Sequence, residues 1–406
     1  MKAGIIGAGS ESLHTIEMAH KHGLSVCAFD GDKNALGLSV ADKGIVQDIR
    51  NVSETVHLIS SEKIDFLLVA PIGYILTTVG AVNDALELPG ISEKAAKICT
   101  DKYLFHQELS KEGLRKCDCH LLEGKGSKEE IWNLVIKEVR NMSFPVILKP
   151  RFGSGSRGIH FISEMEEIEK LKEQVLNEKT EGTGVFGDYE DYILEECISG
   201  EEYGVDGAVT KEGFEMVLLR KKDNTPLPDR QAVAYYSVDS TEDSYQIICP
   251  YITAIVQSLD LKECLLHADV ILSANGPFVI EMSARPSGHN LHNLFTPLAT
   301  GIDMAEQYIL YRMGKEYSFK PVYTKKLMIH YFDMVGKVCR ILSAKEIEQL
   351  TGRKVLAYEC TLKVGDVLEP VSNGHGLMGR GYYVLEGETS DELRDLSCLV
   401  SEAFLQ

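Results

Sequence analysis

A lysine stands at the junction between an apolar run and a glycine-rich loop in residues 145–159, which read PVILKPRFGSGSRGI. The apolar residues predict a strand that ends at Lys149, where an ammonium group is costly to bury unless an anion pairs with it. The loop that follows has three glycines, two serines and two arginines, and its backbone N–H groups could bind phosphate oxygens. It is not a Walker loop, because no Gly-Lys-Ser/Thr closes it. A surface loop with a lysine that extends into solvent is the alternative.

Two carboxylates, Asp269 and Glu281, lie on successive predicted strands within CLLHADVILSANGPFVIEMSARP. A turn at Asn275-Gly276 joins these strands, so both side chains could reach the same end of the pair on one face. Neighbouring carboxylates repel each other unless a cation lies between them, and Mg²⁺ suits hard oxygen ligands of this kind. Arg285 follows shortly after and could hold an anionic substrate or intermediate. Two separate surface salt bridges are the alternative for the carboxylates.

A Gly7-x-Gly9 turn, with Asp30 at the end of the next predicted strand, resembles a dinucleotide-binding fingerprint. Ser12 stands where that fingerprint needs a third glycine or an alanine. We therefore favour a tight strand-to-helix turn without a bound cofactor. A dehydrogenase would require the protein to change the fluorescence of NADH, and we expect no effect.

The length of 406 residues predicts two or three domains, and the composition is typical of globular proteins. The formal net charge of −19 argues against nucleic acid as a partner, because an acidic surface repels phosphate backbones. Ten cysteines without zinc or disulfide spacing favour reduced thiols in a cytosol. The first residues lack the features of a secretory signal, so we expect a cytoplasmic protein. The uncharged stretch 66–83 contains Pro71, Gly73 and Gly80, which favours a strand, a loop and a helix over a membrane span.

Strands and helices alternate through the first hundred residues. The segments KAGIIGAG, LSVCAFD and IDFLLVA read as strands, and SLHTIEMAHKHG and VSETVHLISSEK read as the helices between them. This alternation predicts an α/β fold with a doubly wound parallel sheet. A capped helix, TDKYLFHQELSKEG, then opens a central region with several strands and a long charged helix. Residues 320–406 are rich in short strands and glycine turns and end in a helix.

Four of these segments, in this order, resemble the motifs of the ATP-grasp superfamily over essentially the whole chain. TDKYLFHQEL resembles the helix with the first nucleotide lysine, and PVILKPRFGSGSRGI resembles the strand with the second lysine and the loop that closes over the triphosphate. YILEECISGEEYGVDG resembles the adenine hinge, and HADVILSANGPFVIEMSARP resembles the metal-binding hairpin. The resemblance implies an N-terminal Rossmann-like domain over 1–100, an ATP-grasp domain over 101–319 with a mobile lid at about 117–197, and a small β-rich C-terminal α+β domain over 320–406.

The resemblance also implies roles for individual residues. Asp269 and Glu281 would bind Mg²⁺, together with Ser283 at a position where the family usually has asparagine. The shorter reach of serine would weaken a second metal site. Arg285 and Lys149 would be catalytic, with Arg285 at the acyl phosphate. The residues implied for ATP are Lys102, Lys149, Gly153, Ser154, Gly155 and Ser156 at the phosphates, Glu195, Glu196 and the backbone of Ile198 at the base, and Glu202 at the ribose.

Within the superfamily, ADKGIVQDIRN, IEMSARPSGHN and the β-rich C-terminal region most resemble the L-amino-acid ligase branch. This branch implies an enzyme that uses ATP and Mg²⁺, or Mn²⁺ in its place, to join a small-molecule carboxylate to an amine through an acyl phosphate. ADP and phosphate would be released, no nucleic acid or membrane would take part, and a homodimer could form through the N-terminal domain. For His267, a contact with ligand or metal and a purely structural role both stay open. The residues implied for the substrate are Arg285, Ser287, Gly288, His289 and His267.

Two other functions stay open at this point. One is a bicarbonate-activating enzyme similar to biotin carboxylase or carboxyaminoimidazole ribonucleotide synthase, although the chain lacks the length for an attached biotin carrier. The other is a nucleotide-binding regulatory protein that has lost turnover, which the serine at position 283 motivates.

Overall fold

The N-terminal region is a four-stranded parallel sheet between two layers of helices. The computed structural model describes residues 1–123, 128–153, 158–177, 191–226, 230–371 and 374–406. The first region contains β1 (Lys2–Ile6), α1 (Leu13–Lys21), β2 (Ser25–Asp30), α2 (Leu36–Val40), β3 (Lys43–Val46), α3 (Val52–Glu62), β4 (Phe66–Leu68), α4 (Leu76–Leu86) and α5 (Glu93–Thr100). The strand order is β3-β2-β1-β4, with parallel neighbours throughout. Buried residues of α1 pack on one face of this sheet, and those of α3 and α4 pack on the other.

The glycine turn after β1 is closed by Asp30. Gly7 has a φ of +88°, a left-handed conformation that favours glycine. One carboxylate oxygen of Asp30 accepts a hydrogen bond from the N–H of Ala8 at 2.6 Å, and the other accepts from the N–H of Asp32 at 2.8 Å. This carboxylate therefore has a structural task in the turn, which agrees with the interpretation of Gly7-x-Gly9 as a tight turn.

A second, antiparallel sheet of four strands carries Lys149. The elements of this region are α6 (Lys102–Lys111), β5 (Cys119–Leu122), α7 (Lys128–Val139), β6 (Val146–Pro150), β7 (His160–Ile162), α8 (Glu166–Asn177) and β8 (Tyr192–Glu196). The strand order is β5-β8-β6-β7, and the helix α6 precedes the sheet in the chain. Residues from α7 and α8 pack against alternate residues of β6 and β8, so Lys149 and Glu195 lie on the opposite face.

The third sheet has eight strands and contains the hairpin that carries Asp269 and Glu281. It is formed by β9 (Glu201–Thr210), β10 (Gly213–Asn224), β11 (Ala232–Val238), β12 (Cys264–Ser273), β13 (Gly276–Ser283), β14 (Leu327–Tyr331), β16 (Val355–Cys360) and β18 (Gly381–Glu386). The order is β13-β12-β9-β10-β11-β14-β18-β16, so three strands from residues 320–406 continue the central sheet. The proposed domain boundary at residue 319 stays a prediction.

The remaining elements cover this sheet. They are α9 (Asp243–Ser258), α10 (Thr296–Thr300), α11 (Met304–Arg312), β15 (Gly336–Lys337), α12 (Ala344–Thr351), β17 (Val367–Leu368), α13 (Gly374–Met378) and α14 (Ser390–Leu405). Along β12, Leu266, Ala268 and Val270 are buried in the core that also contains α9. The alternation of a strand therefore directs His267 and Asp269 to the opposite face.

The predicted α/β fold class is confirmed, including the parallel N-terminal sheet and the β12–β13 hairpin. The turn of this hairpin lies at Ala274-Asn275, one residue earlier than predicted, because Ser273 pairs with Gly276 at the start of β13. The elements that were not predicted from the sequence include α2, β3, α5, β11 and α9. The stretch 66–83 forms β4, a loop and most of α4, as expected. Across the described ranges, no helix is both long enough and apolar enough to cross a membrane.

Candidate active site

A buried cationic cluster surrounds the end of β6. Lys149 is only 4% exposed, and its Nζ donates a hydrogen bond to Oε1 of Glu195. The other oxygen of Glu195 accepts from Nη2 of Arg115 at 2.9 Å. Burial acts to raise the pKa of Glu195, but Lys149 and Arg115 outweigh it and lower that pKa to about 2. Because two cations share one carboxylate, the cluster keeps a net positive charge that suits an anion.

Glu195 thus holds Lys149 in place. The two residues are diagonal neighbours on β6 and β8, where Lys149 pairs with Ile193 and Glu195 pairs with Ile147. A contact between Glu195 and an adenine base stays a prediction, since both carboxylate oxygens already accept from cations in this structure.

Lys102 opens α6 beside the N-cap residue Asp101. Its Nζ donates to the carbonyl oxygen of Gly153, at the start of the glycine loop, over 2.9 Å. Burial in the cleft lowers the pKa of Lys102 to about 8, while Glu281 acts to raise it and Lys149 acts to lower it further. The two predicted nucleotide lysines and a predicted metal carboxylate therefore act on one another within a single cleft.

We expect ATP affinity to depend on the charge of Lys102. A phosphate stabilises the ammonium form, so ATP binding should raise the pKa of Lys102 above about 8 and take up a proton near that pH. Affinity should fall as pH rises through this range, because the free ammonium then loses its proton. Calorimetry in buffers of different ionisation enthalpy measures the uptake. In Lys102→Arg the side chain stays charged and the uptake should vanish, whereas unchanged uptake would contradict the assignment to Lys102.

The second wall of the cleft is the β12–β13 hairpin. Asp269 pairs directly with Glu281, just past a register shift between Asp269 and Val270. Oδ1 of Asp269 lies 2.6 Å from Nζ of Lys222 and 3.4 Å from Nε2 of His267. Burial acts to raise the pKa of Asp269, but Lys222 and His267 lower it, so this carboxylate is ionised. In the described part of the chain, Glu281 belongs to no ion pair within 4.0 Å.

The donors on this hairpin fit a hard divalent cation. Asp269, Glu281 and the hydroxyl of Ser283 all offer oxygen, and Ser283 pairs with His267, two residues further along the hairpin than the Asp269–Glu281 pair. Within the residues that the structure describes, no three acidic, histidine or cysteine side chains converge closely enough to hold a metal alone. Mg²⁺ binds through few protein ligands and completes its shell with water and substrate phosphates, so the donor set suits Mg²⁺ held jointly with a triphosphate.

Arg285 lies just beyond this hairpin with part of its hydrogen-bonding capacity unused. Its Nη1 donates to the carbonyl oxygen of Pro286 at 2.8 Å, but its buried Nε has no hydrogen-bond partner among the described residues. Burial lowers the pKa of Arg285, and Glu281 and Asp269 act in the opposite direction. A buried guanidinium group with a free donor beside two acidic residues suits an anion that arrives with a cation.

The predicted acceptor residues follow Arg285 and contact the N-terminal region. Ser287 is 1% exposed, and its hydroxyl donates to Asp206 at 3.1 Å. A Cβ at Gly288 would lie 3.7 Å from Oε1 of Glu11, and the N–H of His289 donates to that oxygen at 3.1 Å. Gly288 and His289 thus lie beside Glu11, while contacts of Ser287, Gly288 and His289 with substrate stay predictions.

The predicted adenine hinge connects β8 to β9. The backbone N–H groups of Glu196 and Cys197 donate to neighbouring segments at 2.9 and 3.0 Å. No backbone hydrogen bond of the half-buried Ile198 occurs among the described residues, so its N–H and carbonyl could serve a base. Glu202 lies 2.5 Å from Nη2 of Arg230. Contacts of these residues with ATP stay predictions.

The glycine loop is anchored at its first residues. Arg151 donates from Nε and Nη2 to the two oxygens of Asp101, at 2.9 and 2.6 Å, and ties the loop to the start of α6. Gly153 has a φ of +121°, in the range that favours glycine, and a Cβ there would meet no atom within 4 Å. The other predicted phosphate residues, Ser154, Gly155 and Ser156, lie outside the described residues.

Four charged residues of this cleft were not predicted from the sequence, namely Glu11, Arg115, Asp206 and Lys222. For Lys222 a signal existed, because it alternates with Arg220 along β10 and so shares its face. For Arg115 no signal existed, since its carboxylate partner is 80 residues away in the chain.

Comparisons with known proteins match part of this chain to a family model. Residues 142–292 match the family model of the ATP-grasp domain. Dapdiamide A synthase from Enterobacter agglomerans is 23% identical over 262 residues, which are 63% of this chain and 58% of that protein. The chain therefore spans less than two thirds of the length of this relative.

Solved structures share the fold over nearly the whole chain. The structure of L-amino acid ligase from Bacillus licheniformis has a TM-score of 0.77 at 18% identity and covers 99% of this chain and 97% of its own. N5-carboxyaminoimidazole ribonucleotide synthetase from Thermotoga maritima has a TM-score of 0.67 at 18% identity and covers 99% of this chain and 98% of its own. The predicted fold, with a parallel N-terminal sheet and a large antiparallel sheet, is confirmed.

Proposed function

We propose that this chain, whose residues 142–292 match the ATP-grasp domain, is an ATP-dependent ligase that joins a carboxylate to an amine and releases ADP and phosphate. One observation carries the proposal: Lys102 and Lys149 lie on one wall of a cleft whose other wall contains the Asp269–Glu281 pair and a half-satisfied Arg285. Cations on both walls suit a triphosphate and the charge that develops on its γ-phosphate.

The first chemical step follows from this charge distribution. A carboxylate oxygen of the substrate attacks the γ-phosphorus, the bond from that phosphorus to the β–γ bridging oxygen breaks, and ADP leaves with the electron pair. Lys102 and Lys149 hold the phosphates, and Arg285 stabilises the acyl phosphate through its free Nε. Mg²⁺ held by Asp269 and Glu281, with Ser283, would neutralise charge on the β- and γ-phosphates.

The second step forms the amide. The lone pair of the amine attacks the acyl carbon, the carbon–oxygen bond to phosphate breaks, and the nitrogen gives up a proton. Gly288 and His289 border the space that the amine would enter, and Glu11 places a carboxylate beside it, where an ammonium group would be attracted before it loses its proton. The name of L-amino acid ligase, whose structure shares this fold, supports amino-acid-like substrates for such a site.

A phosphate-release screen tests this function. Amino acids and small carboxylates are offered in pairs with Mg-ATP, and the product of each active pair is identified by its mass. Hydroxylamine serves as a surrogate amine, because it converts an acyl phosphate to a stable hydroxamate. We expect phosphate release to require a carboxylate and the product mass to equal the sum of both substrates minus water.

The likeness to N5-carboxyaminoimidazole ribonucleotide synthetase favours bicarbonate activation as the second candidate. Phosphate release that depends on bicarbonate, with no response to amino acids, would select that candidate. Tight Mg-ATP binding without phosphate release from any pair would instead favour the nucleotide-binding regulatory protein. A cytoplasmic location and a homodimer through the N-terminal domain stay predictions.

A further inference from the structure

A fully buried carboxylate, Asp206, lies on β9 beside the cleft and makes contacts from several elements. It is 0% exposed, and both terminal nitrogens of Arg220 on β10 donate to it, with Nη2 at 3.0 Å from Oδ1. Nδ1 of His267 on β12 lies 3.6 Å from the same oxygen. Burial acts to raise the pKa of Asp206, but Arg220 and His267 lower it, so the carboxylate stays ionised.

The other oxygen of Asp206 joins the two ends of one segment. Oδ2 accepts from the hydroxyl of Ser287 at 3.1 Å and from the hydroxyl of Thr296 at 2.9 Å. The segment 287–296 therefore forms a loop that a single carboxylate oxygen closes. Hydrogen bonds to an ionised acceptor are stronger than those between neutral groups, so this closure is firm.

The segment between these two hydroxyls has an unusual backbone. His289 and Asn290 have φ values of 66° and 58°, which non-glycine residues rarely adopt, and the π-helical turn Leu291–Phe295 follows them. Such conformations persist when the surroundings hold them in place. Besides Asp206, the ring of the buried His292 bonds to the carbonyl oxygen of Ser287.

One of the two strained residues, His289, also borders the proposed acceptor space. The N–H of His289 donates to Glu11, and its carbonyl oxygen accepts from the hydroxyl of Tyr331. The loop thus meets the N-terminal region on one side and β14 on the other. A change in its closure would move the backbone at Gly288 and His289 without contact with the nucleotide lysines.

Gly204 gives Arg220 the space it needs to reach Asp206. The two residues are opposite each other on β9 and β10, and a Cβ at Gly204 would lie 3.3 Å from Nη2 of Arg220 and 3.4 Å from Cε of Lys222. Arg220 can therefore extend along the sheet to Asp206, while Lys222 reaches Asp269. Asp206 and Arg220, which close the loop, therefore lie beside the hairpin that carries Asp269 and Glu281.

We propose that Asp206 is a positioning residue: by closing the segment 287–296 it fixes the acceptor border at Gly288 and His289, and so sets the affinity for the amine. The effect on the affinity for the amine rests on the proposed function, whereas the closure of the segment 287–296 by Asp206 does not. Asp206 touches neither nucleotide nor reacting atoms, and acts through Ser287 and Thr296.

Thr296→Val tests the proposal with the ion pair left intact. The matched control is Thr55→Val, since both threonines are 0% exposed and the Thr55 hydroxyl bonds only within the first turn of α3, to Asn51. Amide hydrogen exchange of peptides from 288–295 should accelerate about tenfold in Thr296→Val and stay unchanged in Thr55→Val. Asp206→Asn should give a larger acceleration where circular dichroism shows that it still folds.

The kinetic arm uses the amino-acid pair that gives most phosphate in the screen. In Thr296→Val the KM for the amine should rise about fivefold to tenfold, while hydroxamate formation with hydroxylamine stays within about twofold of wild type. Unchanged exchange at 288–295, or an equal loss in both assays, would overturn the proposal. A wild-type protein that forms no hydroxamate from any carboxylate would reject the proposed ligase, and the exchange measurement would still decide whether Asp206 closes the loop.

Discussion

Glu281→Gln should fold normally and lower the turnover of ATP by about a hundredfold or more, as expected when a transition-state electrostatic contact is lost. The substitution removes one negative charge from the hairpin and leaves the size of the side chain unchanged. Glu281 is half-buried and has no ion pair within 4.0 Å among the described residues, so its neutralisation breaks no existing pair. Phosphate release at saturating Mg-ATP measures the effect, and thermal unfolding measures stability.

Glu215→Gln is the matched control for this prediction. Glu215 is also half-buried on a strand of the same sheet, but it lies near the start of β10, at the opposite end of that strand from Lys222, and it acts on Tyr245 and Cys249 of α9. We expect its turnover to stay within about twofold of wild type, because surface and remote substitutions change little. Near-normal turnover in Glu281→Gln would count heavily against the metal assignment. A large loss in both variants would indicate a general effect of the sheet.

The parts of the site that could be predicted from sequence are those that local geometry determines. Asp269 and Glu281 are close in the chain and a two-residue turn joins their strands, so their proximity could be predicted. Their direct pairing also needs a register shift between Asp269 and Val270, which the turn alone does not determine. The position of Lys149 likewise follows from its strand, β6, which ends one residue later at Pro150. The order of four such motifs gives the resemblance to the ATP-grasp superfamily, and residues 142–292 match the family model of the ATP-grasp domain.

The parts that could not be predicted depend on contacts between distant segments. Arg115 reaches Glu195 across 80 residues and also donates to the carbonyl of Val279 on β13 at 3.0 Å, so it joins the two walls of the cleft. Its exact partners follow from the packing of two sheets, and no local pattern reports them. The helix α9 was missed because it contains Pro250, a residue that normally interrupts a helix.

The net negative charge of the chain differs from the local charge of this cleft. The formal charge of −19 describes the whole surface, whereas the two walls gather Lys102, Lys149, Lys222 and Arg285. Two carboxylates, Glu195 and Asp269, hold Lys149 and Lys222 in position. An anion that enters therefore meets cations already oriented by buried partners, which reduces the free-energy cost of ordering them on binding.

Lys149→Ala should weaken ATP binding by about a hundredfold, because it removes a charge-assisted contact with a phosphate from a site where water is largely excluded. The buried Glu195 would keep Arg115 as a partner, so the carboxylate would not be left alone. We therefore expect a folded protein that is less stable by about 1–3 kcal/mol, below the cost of a fully broken buried pair. Calorimetry with Mg-ADP and Mg-ATP measures the affinity, and thermal unfolding measures the stability.

Lys137→Ala separates this contact from a general loss of positive charge. Lys137 lies on α7, which packs against the same small sheet, but its side chain is 72% exposed and lies on the outer side. We expect its ATP affinity to stay within about twofold of wild type, since exposed charges are well screened. If both lysine variants bound ATP equally well, no phosphate would contact Lys149, and a triphosphate could not be held between the small sheet and the acidic hairpin. If Lys149→Ala alone lost affinity, the cationic wall would be assigned to the nucleotide by a direct measurement.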